Sequence, residues 1–88
     1  MIYSQHDFDL IIELGQELKR MYEKANRNEQ VAMIHVFAIK NGDKILKHNI
    51  KSIDIIKAAG LHESYKTEIS KGIKLSKYAA LKQEIQLP

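Results

Sequence analysis

The sequence predicts an all-α protein, a small helical bundle of about five helices. Three observations predict this fold class. The 88 residues contain only four Gly and one Pro, so few positions interrupt a helix. Apolar residues recur every three or four positions near the N-terminus. Two apolar stretches in the second half each end at a Gly, which is a common helix stop signal. No linker or repeat divides the chain, so residues 1–88 are expected to form a single domain.

The first predicted helix covers residues 6–26 and follows a frayed lead. Asp7 and Asp9 suit its N-terminus, where the helix dipole favours carboxylates. Four apolar residues follow each other at spacings of three and four, as in a heptad seam: Ile11, Leu14, Leu18 and Met21. Two heptads are too few for a coiled coil. The seam is therefore expected either to pack on its own domain or to form a homodimer interface.

A second helix is predicted from Glu29 to His48, and it contains the most apolar run of the chain, VAMIHVFAI. Such a run predicts a central, buried element. A β-hairpin at residues 31–46 is the alternative, because Asn41-Gly42 is a common hairpin turn. We favour the helix since the following segment, DKILKH, has one β-branched residue, although Gly42 costs a helix about 1 kcal/mol relative to Ala. Asn49 is expected to end this helix, because Asn tolerates the left-handed conformation.

Two short helices joined by a tight turn are predicted at Ile50–Gly72. Ser52 is the expected N-cap of the first helix, since its hydroxyl can accept a free backbone N–H. Gly60 ends that helix, because glycine alone adopts positive φ without steric cost. The second helix is expected from His62 to Lys71, with Gly72 as its stop signal.

The end of the chain is predicted to form a last short helix at residues 77–85, with Ser76 as its cap. Tyr78, Leu81 and Ile85 would share one face of it. The single domain is thus expected to consist of the N-terminal helix, a helix-turn-helix core at residues 29–77 and this C-terminal helix.

The stretch Ile50–Gly72 resembles a helix-turn-helix of the lambda-repressor type. That family has a capping polar residue, an apolar pair, Ala-Gly-aliphatic at the turn, a polar helix start, an aliphatic residue and a final Gly. The matching residues are Ser52, Ile55, Ile56, Ala59, Gly60, Leu61, Glu63, Ser64, Ile69 and Gly72. The chain departs from the pattern at Ile56, where the family usually has Ala, and at Lys66, where it usually has an aliphatic residue. Tyr65 is the candidate to take over the packing position of the latter.

This resemblance implies binding to double-stranded DNA, with the second helix in the major groove. The positions that contact bases in that family correspond to Glu63, Ser64 and Thr67, and a slightly rotated helix would add Tyr65 and Lys66. Phosphate contacts supply affinity without sequence information, and six residues are expected to make them: Lys51, Ser52, Lys57, Lys71, Lys74 and Lys77. A homodimer is expected, because one short helix reads few base pairs.

The charge distribution agrees with a nucleic-acid partner for the second half. Residues 1–29 carry four Lys/Arg and six Asp/Glu, whereas residues 30–88 carry ten Lys and five Asp/Glu. A basic half suits contact with phosphates. A lysine-rich solvated surface explains the same numbers without any nucleic acid, so the charge supports the interpretation and does not establish it.

Other function classes find little support. The chain has no Cys, and its four His are not in an HExxH pattern or a dense cluster with carboxylates: His6, His35, His48 and His62. No glycine-rich phosphate loop or GxSxG is present, so neither an enzyme nor a cofactor is expected. No apolar run approaches the roughly 20 residues that span a bilayer, and the first residues lack a signal-peptide layout. We expect a cytoplasmic DNA-binding regulator of bacterial or phage type. The alternative is a protein-interaction module without a DNA role.

Overall fold

Four α-helices build the part of the chain that the structure describes. The structure is a computed structural model, and it describes residues 3–79. The helices are α1 Gln5–Lys24, α2 Gln30–Lys47, α3 Ser52–Ala59 and α4 Lys66–Leu75, and single 3-10 turns precede α2 (Arg27–Glu29) and α4 (Glu63–Tyr65). No strand occurs within residues 3–79, so the predicted all-α fold is confirmed and the alternative β-hairpin at 31–46 is wrong.

The helix α1 begins earlier than predicted because Ser4 caps it. The Ser4 hydroxyl accepts a hydrogen bond from the Asp7 N–H at 3.1 Å, and the Asp7 carboxylate accepts one from the Ser4 N–H at 3.2 Å. This reciprocal capping box satisfies two backbone donors at the helix start. The Asp7 carboxylate also lies 3.3 Å from His48 Nδ1, which connects the start of α1 to the end of α2.

The helix α2 runs through Asn41-Gly42 without interruption. The Asn41 amide donates to the Phe37 carbonyl one turn earlier, at 3.0 Å, and the residue is only 5% exposed. Gly42 is also buried, and a Cβ there would collide with the side chain of Ser76. The dipeptide that resembles a hairpin turn is therefore used for burial and close packing.

Left-handed residues end both α2 and α3, as predicted. Asn49 has a φ of 57° and Gly60 a φ of 71°. After each of them, the next N–H bonds back to a carbonyl five positions earlier: Ile50 to Ile45 at 3.0 Å, and Leu61 to Ile56 at 3.1 Å. These are the bonds of a Schellman motif, which satisfies carbonyls that a helix end leaves without partners.

Two residues that were predicted as helix signals have other roles. Ser52 is the first residue of α3 and not its N-cap, and its hydroxyl hydrogen-bonds that of Ser70 on α4 at 3.1 Å. Gly72 does not end α4, which continues to Leu75. Gly72 is instead buried against α2, where a Cβ would collide with the side chain of Ala38. A glycine is needed there for close helix packing, and it needs no positive φ.

Close contacts between helices pair α1 with α3 and α2 with α4. A Cβ on Gly15 of α1 would lie 2.6 Å from the Cβ of Ala58 on α3 and 2.8 Å from its carbonyl carbon. The Gly72 contact holds α4 equally close to α2. One hydrophobic core takes side chains from all four helices, and its largest fully buried members are Leu18, Ile34, Phe37, Ile45, Ile55, Ile56 and Ile69.

The predicted seam of α1 belongs to this core. Ile11, Leu14 and Leu18 are 7%, 2% and 0% exposed within the single chain, and Met21 is half-buried against the same cluster. These side chains therefore cover the chain's own helices, so a homodimer needs a different surface. Heptad-like spacing could not distinguish the two outcomes, because an intramolecular and an intermolecular helix require the same apolar stripe.

The predicted C-terminal helix at 77–85 lies mostly outside the described residues. Ser76 follows α4, and its hydroxyl donates back to the Ile73 carbonyl. Lys77 and Tyr78 form a turn, and the Tyr78 side chain is 88% exposed.

The α1–α3 contact predicts that Gly15→Ala destabilises the protein. Overpacking costs about 1–3 kcal/mol, and contacts as short as 2.6 and 2.8 Å place Gly15→Ala toward the upper end of that range. That cost exceeds the gain of about 1 kcal/mol from the better helix propensity of Ala. Relief is difficult, since one of the crowded atoms belongs to the backbone of Ala58. Urea unfolding should show a lower free energy of unfolding for Gly15→Ala. The neighbouring exposed Gln16→Ala should stay within about 0.5 kcal/mol of wild type. A Gly15→Ala protein as stable as wild type would contradict the close contact.

Candidate nucleic-acid interface

A groove with lysines around it lies between α4 and the start of α3. It is open to solvent and has a volume of about 710 Å³. The end of α2, the α2–α3 loop, the first turn of α3 and α4 all contribute to its wall. Four lysines line it, namely Lys51, Lys66, Lys74 and Lys77, and no acidic residue is among its described lining.

Six of the eleven residues predicted to contact DNA meet at this groove: Lys51, Ser52, Lys66, Thr67, Lys74 and Lys77. The other five lie outside its lining: Lys57, Glu63, Ser64, Tyr65 and Lys71. The sequence interpretation missed Ser70, whose hydroxyl bonds that of Ser52 across the groove. Its spacing gave a usable signal, because Lys66, Ser70 and Lys74 follow each other at four-residue intervals on one helix face.

The side chain of Tyr65 is engaged within the chain. Its hydroxyl shares a hydrogen bond with that of Tyr22 on α1 at 3.0 Å, and the two rings meet edge to face with centroids 5.6 Å apart. This hydrogen bond raises the pKa of Tyr22. Tyr65 is half-buried against the core while Lys66 is exposed. Tyr65 thus takes the packing role of the aliphatic residue that the family pattern has one position later, where this chain has Lys66.

The side chain of Ser64 is also occupied. His62 Nδ1 accepts a hydrogen bond from the Ser64 N–H at 3.1 Å and lies 2.8 Å from the Ser64 hydroxyl. The imidazole therefore acts as the cap of the 3-10 turn before α4.

The carboxylate of Glu68, the sole acidic side chain on α4, is directed toward α2. It accepts a hydrogen bond from His35 Nε2 at 2.7 Å, and Lys71 Nζ lies 3.7 Å from its other oxygen. The His35 hydrogen bond, together with the charge of Lys71, holds the pKa of Glu68 below its ordinary value of 4.5. The groove side of α4 therefore presents lysines without a carboxylate. Lys71 is paired with Glu68 instead.

The described residues offer few other kinds of site. Within residues 3–79, no group of three or more His, Cys, Asp or Glu side chains could hold a metal ion. No helix in the same range is long and apolar enough to cross a membrane. The lysine-lined groove is the candidate site because six of the residues expected to contact DNA line it.

Comparison with known proteins supports the motif. The model of a family described as an HTH-like domain matches residues 11–82, which include most of α1 and all of α2, α3 and α4. The match confirms a helix-turn-helix domain without specifying the lambda-repressor type. No curated protein and no solved structure matches the chain.

The Glu68–His35 pair predicts a pH-dependent contribution to stability. Because the folded-state pKa of Glu68 is depressed, its contribution is present above the unfolded-state pKa and is lost as pH falls through the folded value. Glu68→Gln should therefore lower Tm at pH 6, and the difference from wild type should shrink as pH falls below about 4.5. Glu63→Gln, an exposed carboxylate in the preceding turn, is the control and should show a small difference at both pH values. A pH-independent effect of Glu68→Gln would contradict the pairing.

Proposed function

Because the chain belongs to the HTH-like domain family, we propose that it binds double-stranded DNA through α4 and the lysines of the groove. The helix has one face for the core and one for a ligand. Ile69 and Gly72 are buried against the rest of the chain, whereas Lys66, Thr67 and Lys74 are exposed. An exposed helix face of this kind suits the major groove, which admits an α-helix.

The observation that carries the proposal is the set of lysines around the groove without a lining carboxylate. Lys66, Lys74 and Lys77 come from α4 and its end, and Lys51 comes from the loop before α3. Cations on two sides of a helix can contact phosphates while the helix lies between the strands. Glu68 does not oppose this arrangement, because it is bound to His35 on α2.

Base contacts are assigned in this proposal to the start of α4. Thr67 and Lys66 are exposed in its first turn, and Glu63 is exposed in the turn before it. Thr can contact several bases, and Glu can accept from a cytosine amino group. Ser64 and Tyr65 contribute less, because each side chain already has a partner within the chain. Lys57 and Lys71 lie outside the groove and would contact phosphates farther from the helix.

We also propose that the protein is a small transcriptional regulator of bacterial or phage type. Its helix-turn-helix would have the lambda-repressor arrangement. Its support is the Ser52–Gly72 residue pattern together with the left-handed turn at Gly60. Those regulators place the second helix of the motif in the major groove. The corresponding helix here is α4, preceded by its 3-10 turn.

The lysines predict a specific salt dependence. Five lysines would contact phosphates in this proposal, namely Lys51, Lys57, Lys71, Lys74 and Lys77, and five contacts give a slope of log K against log salt of about −4.5 on random-sequence duplex DNA. Lys74→Ala should weaken binding to all sequences and reduce the magnitude of that slope by about 1. Lys24→Ala on α1 removes the same charge outside the groove, and it should leave the slope near the wild-type value. Fluorescence anisotropy over a salt series measures both. Absence of binding at low salt, or equal losses in the two variants, would contradict the proposal.

We further propose that the protein binds DNA as a homodimer, since two-fold pairing doubles the contacts of one short helix. The core seam of α1 is unavailable, but Phe8 and Ile12 lie one turn apart on α1 and are 49% and 53% exposed. Ile12→Glu should therefore shift the sedimentation coefficient toward that of a monomer. Val31→Glu, on α2 with 42% exposure, is the control and should sediment like wild type. A wild-type protein that sediments as a monomer with and without DNA would exclude the dimer.

A further inference from the structure

The groove has an apolar floor that contact with DNA does not use. Ile45 and Ile50 form its buried base, and Leu46, Ile53 and Ile73 line it with part of their surface accessible. Leu46 alone is 49% exposed. The phosphates that the lysines would contact are charged and hydrated, so phosphate contacts leave these apolar side chains uncovered. An apolar surface with a polar rim is typical of a site for a protein partner.

The lysines determine which kind of partner suits this floor. Lys66, Lys74 and Lys77 belong to α4 and its end, and Lys51 belongs to the loop before α3, so a ligand on the floor meets cations from two separate elements. A neutral apolar ligand would desolvate these charges without compensation. A ligand with carboxylates on both edges of an apolar stripe would pair with them.

We propose that the groove binds an acidic amphipathic helix of a partner protein. Its apolar side chains would contact Leu46, Ile53 and Ile73, and its carboxylates would pair with the four lysines. Strand addition does not apply, because residues 3–79 contain no strand edge to extend. The helix α4, from Lys66 to Leu75, covers roughly 14 Å at the helical rise of 1.5 Å per residue, which is about two and a half helical turns. A helix in a groove, anchored at positions i, i+3 or i+4 and i+7, matches that length.

This helix and DNA would exclude each other. Both ligands use Lys66 and Lys74, and a helix seated on the floor would cover the space between α4 and the α2–α3 loop. The inference does not rest on the proposed DNA binding, because the apolar floor supports it independently. If both hold, the partner helix releases the protein from DNA.

The probe is a synthetic peptide of about 14 residues, four turns, with leucines along one face and glutamates on both edges of that stripe. Its control is a peptide of the same composition, scrambled so that the leucines share no face. Anisotropy of the labelled peptides, titrated with the full 88-residue chain, should show saturable binding of the amphipathic peptide only. The affinity should fall as salt rises, because ion pairs at the rim are screened.

Two matched leucines separate the groove from the remaining surface. Leu46 lines the groove and is 49% exposed, whereas Leu75 is 48% exposed and lies outside its lining. Leu46→Ser should weaken peptide binding at least about fivefold, the loss expected on removing an apolar anchor. Leu75→Ser should bind the peptide like wild type. Leu46→Ser should also bind duplex DNA like wild type, which distinguishes failure of this inference from failure of the proposed function.

Three results would overturn the inference. Equal binding of the amphipathic and the scrambled peptide would show attraction by charge alone. Equal peptide binding by wild type and Leu46→Ser would place the peptide elsewhere. If wild type does not bind the peptide and Leu46→Ser has a lower sedimentation coefficient than wild type, the groove is the contact with a second copy of this chain.

Discussion

The approach of helices at Gly15 and Gly72 is the constraint on which the rest of the structure depends. Gly15 on α1 contacts Ala58 on α3, and Gly72 on α4 contacts Ala38 on α2. Neither contact leaves room for a Cβ on the glycine. The two contacts pair α1 with α3 and α4 with α2, and one core joins the pairs. Because interiors are packed at close to crystal density, the buried small residues Gly15, Ala38 and Gly72 set which face of α1, α2 and α4 turns inward. The outward face of α4 follows from the inward position of Gly72.

The candidate site is a consequence of that arrangement. With Gly72 and Ile69 turned toward the core, Glu68 reaches His35 on α2, and Lys66 and Lys74 of α4 line one groove together with Lys51. The two Schellman motifs at Asn49 and Gly60 position the short α3 between them, and the Ser52–Ser70 hydrogen bond connects α3 to α4. Lysines that are spread along the sequence thus become one cationic surface with an apolar floor. Its charge suits phosphates, and its floor suits the apolar side of a helix.

Much of the fold was predictable because it depends on local chemistry. The breaker-poor composition indicated helices, and the left-handed ends at Asn49 and Gly60 followed from the conformational freedom of those residue types. Six of the predicted DNA-contacting residues meet at the groove, three of them on α4 and three in the segments beside it. The resemblance to the helix-turn-helix motif is what directed attention to these segments. Ser52 was predicted as an N-cap but bonds Ser70, since the same hydroxyl can serve either role. Gly72 was predicted as a helix stop but allows a close helix contact, since glycine serves both purposes. The Ile11–Leu18 seam was ambiguous for a similar reason, because its spacing does not say which helix covers it.

The sequence by itself determined the all-α class, the turn at Gly60 and the helix-turn-helix motif that the family match confirms. These depend on interactions within a few residues, namely backbone conformation, capping and the period of apolar side chains. Only the tertiary structure decided that Gly42 packs against Ser76, that Glu68 is bound to His35, and that apolar side chains form the floor of the groove. Each of these depends on a neighbour far along the chain, and sequence spacing within one segment carries no information about which neighbour that is.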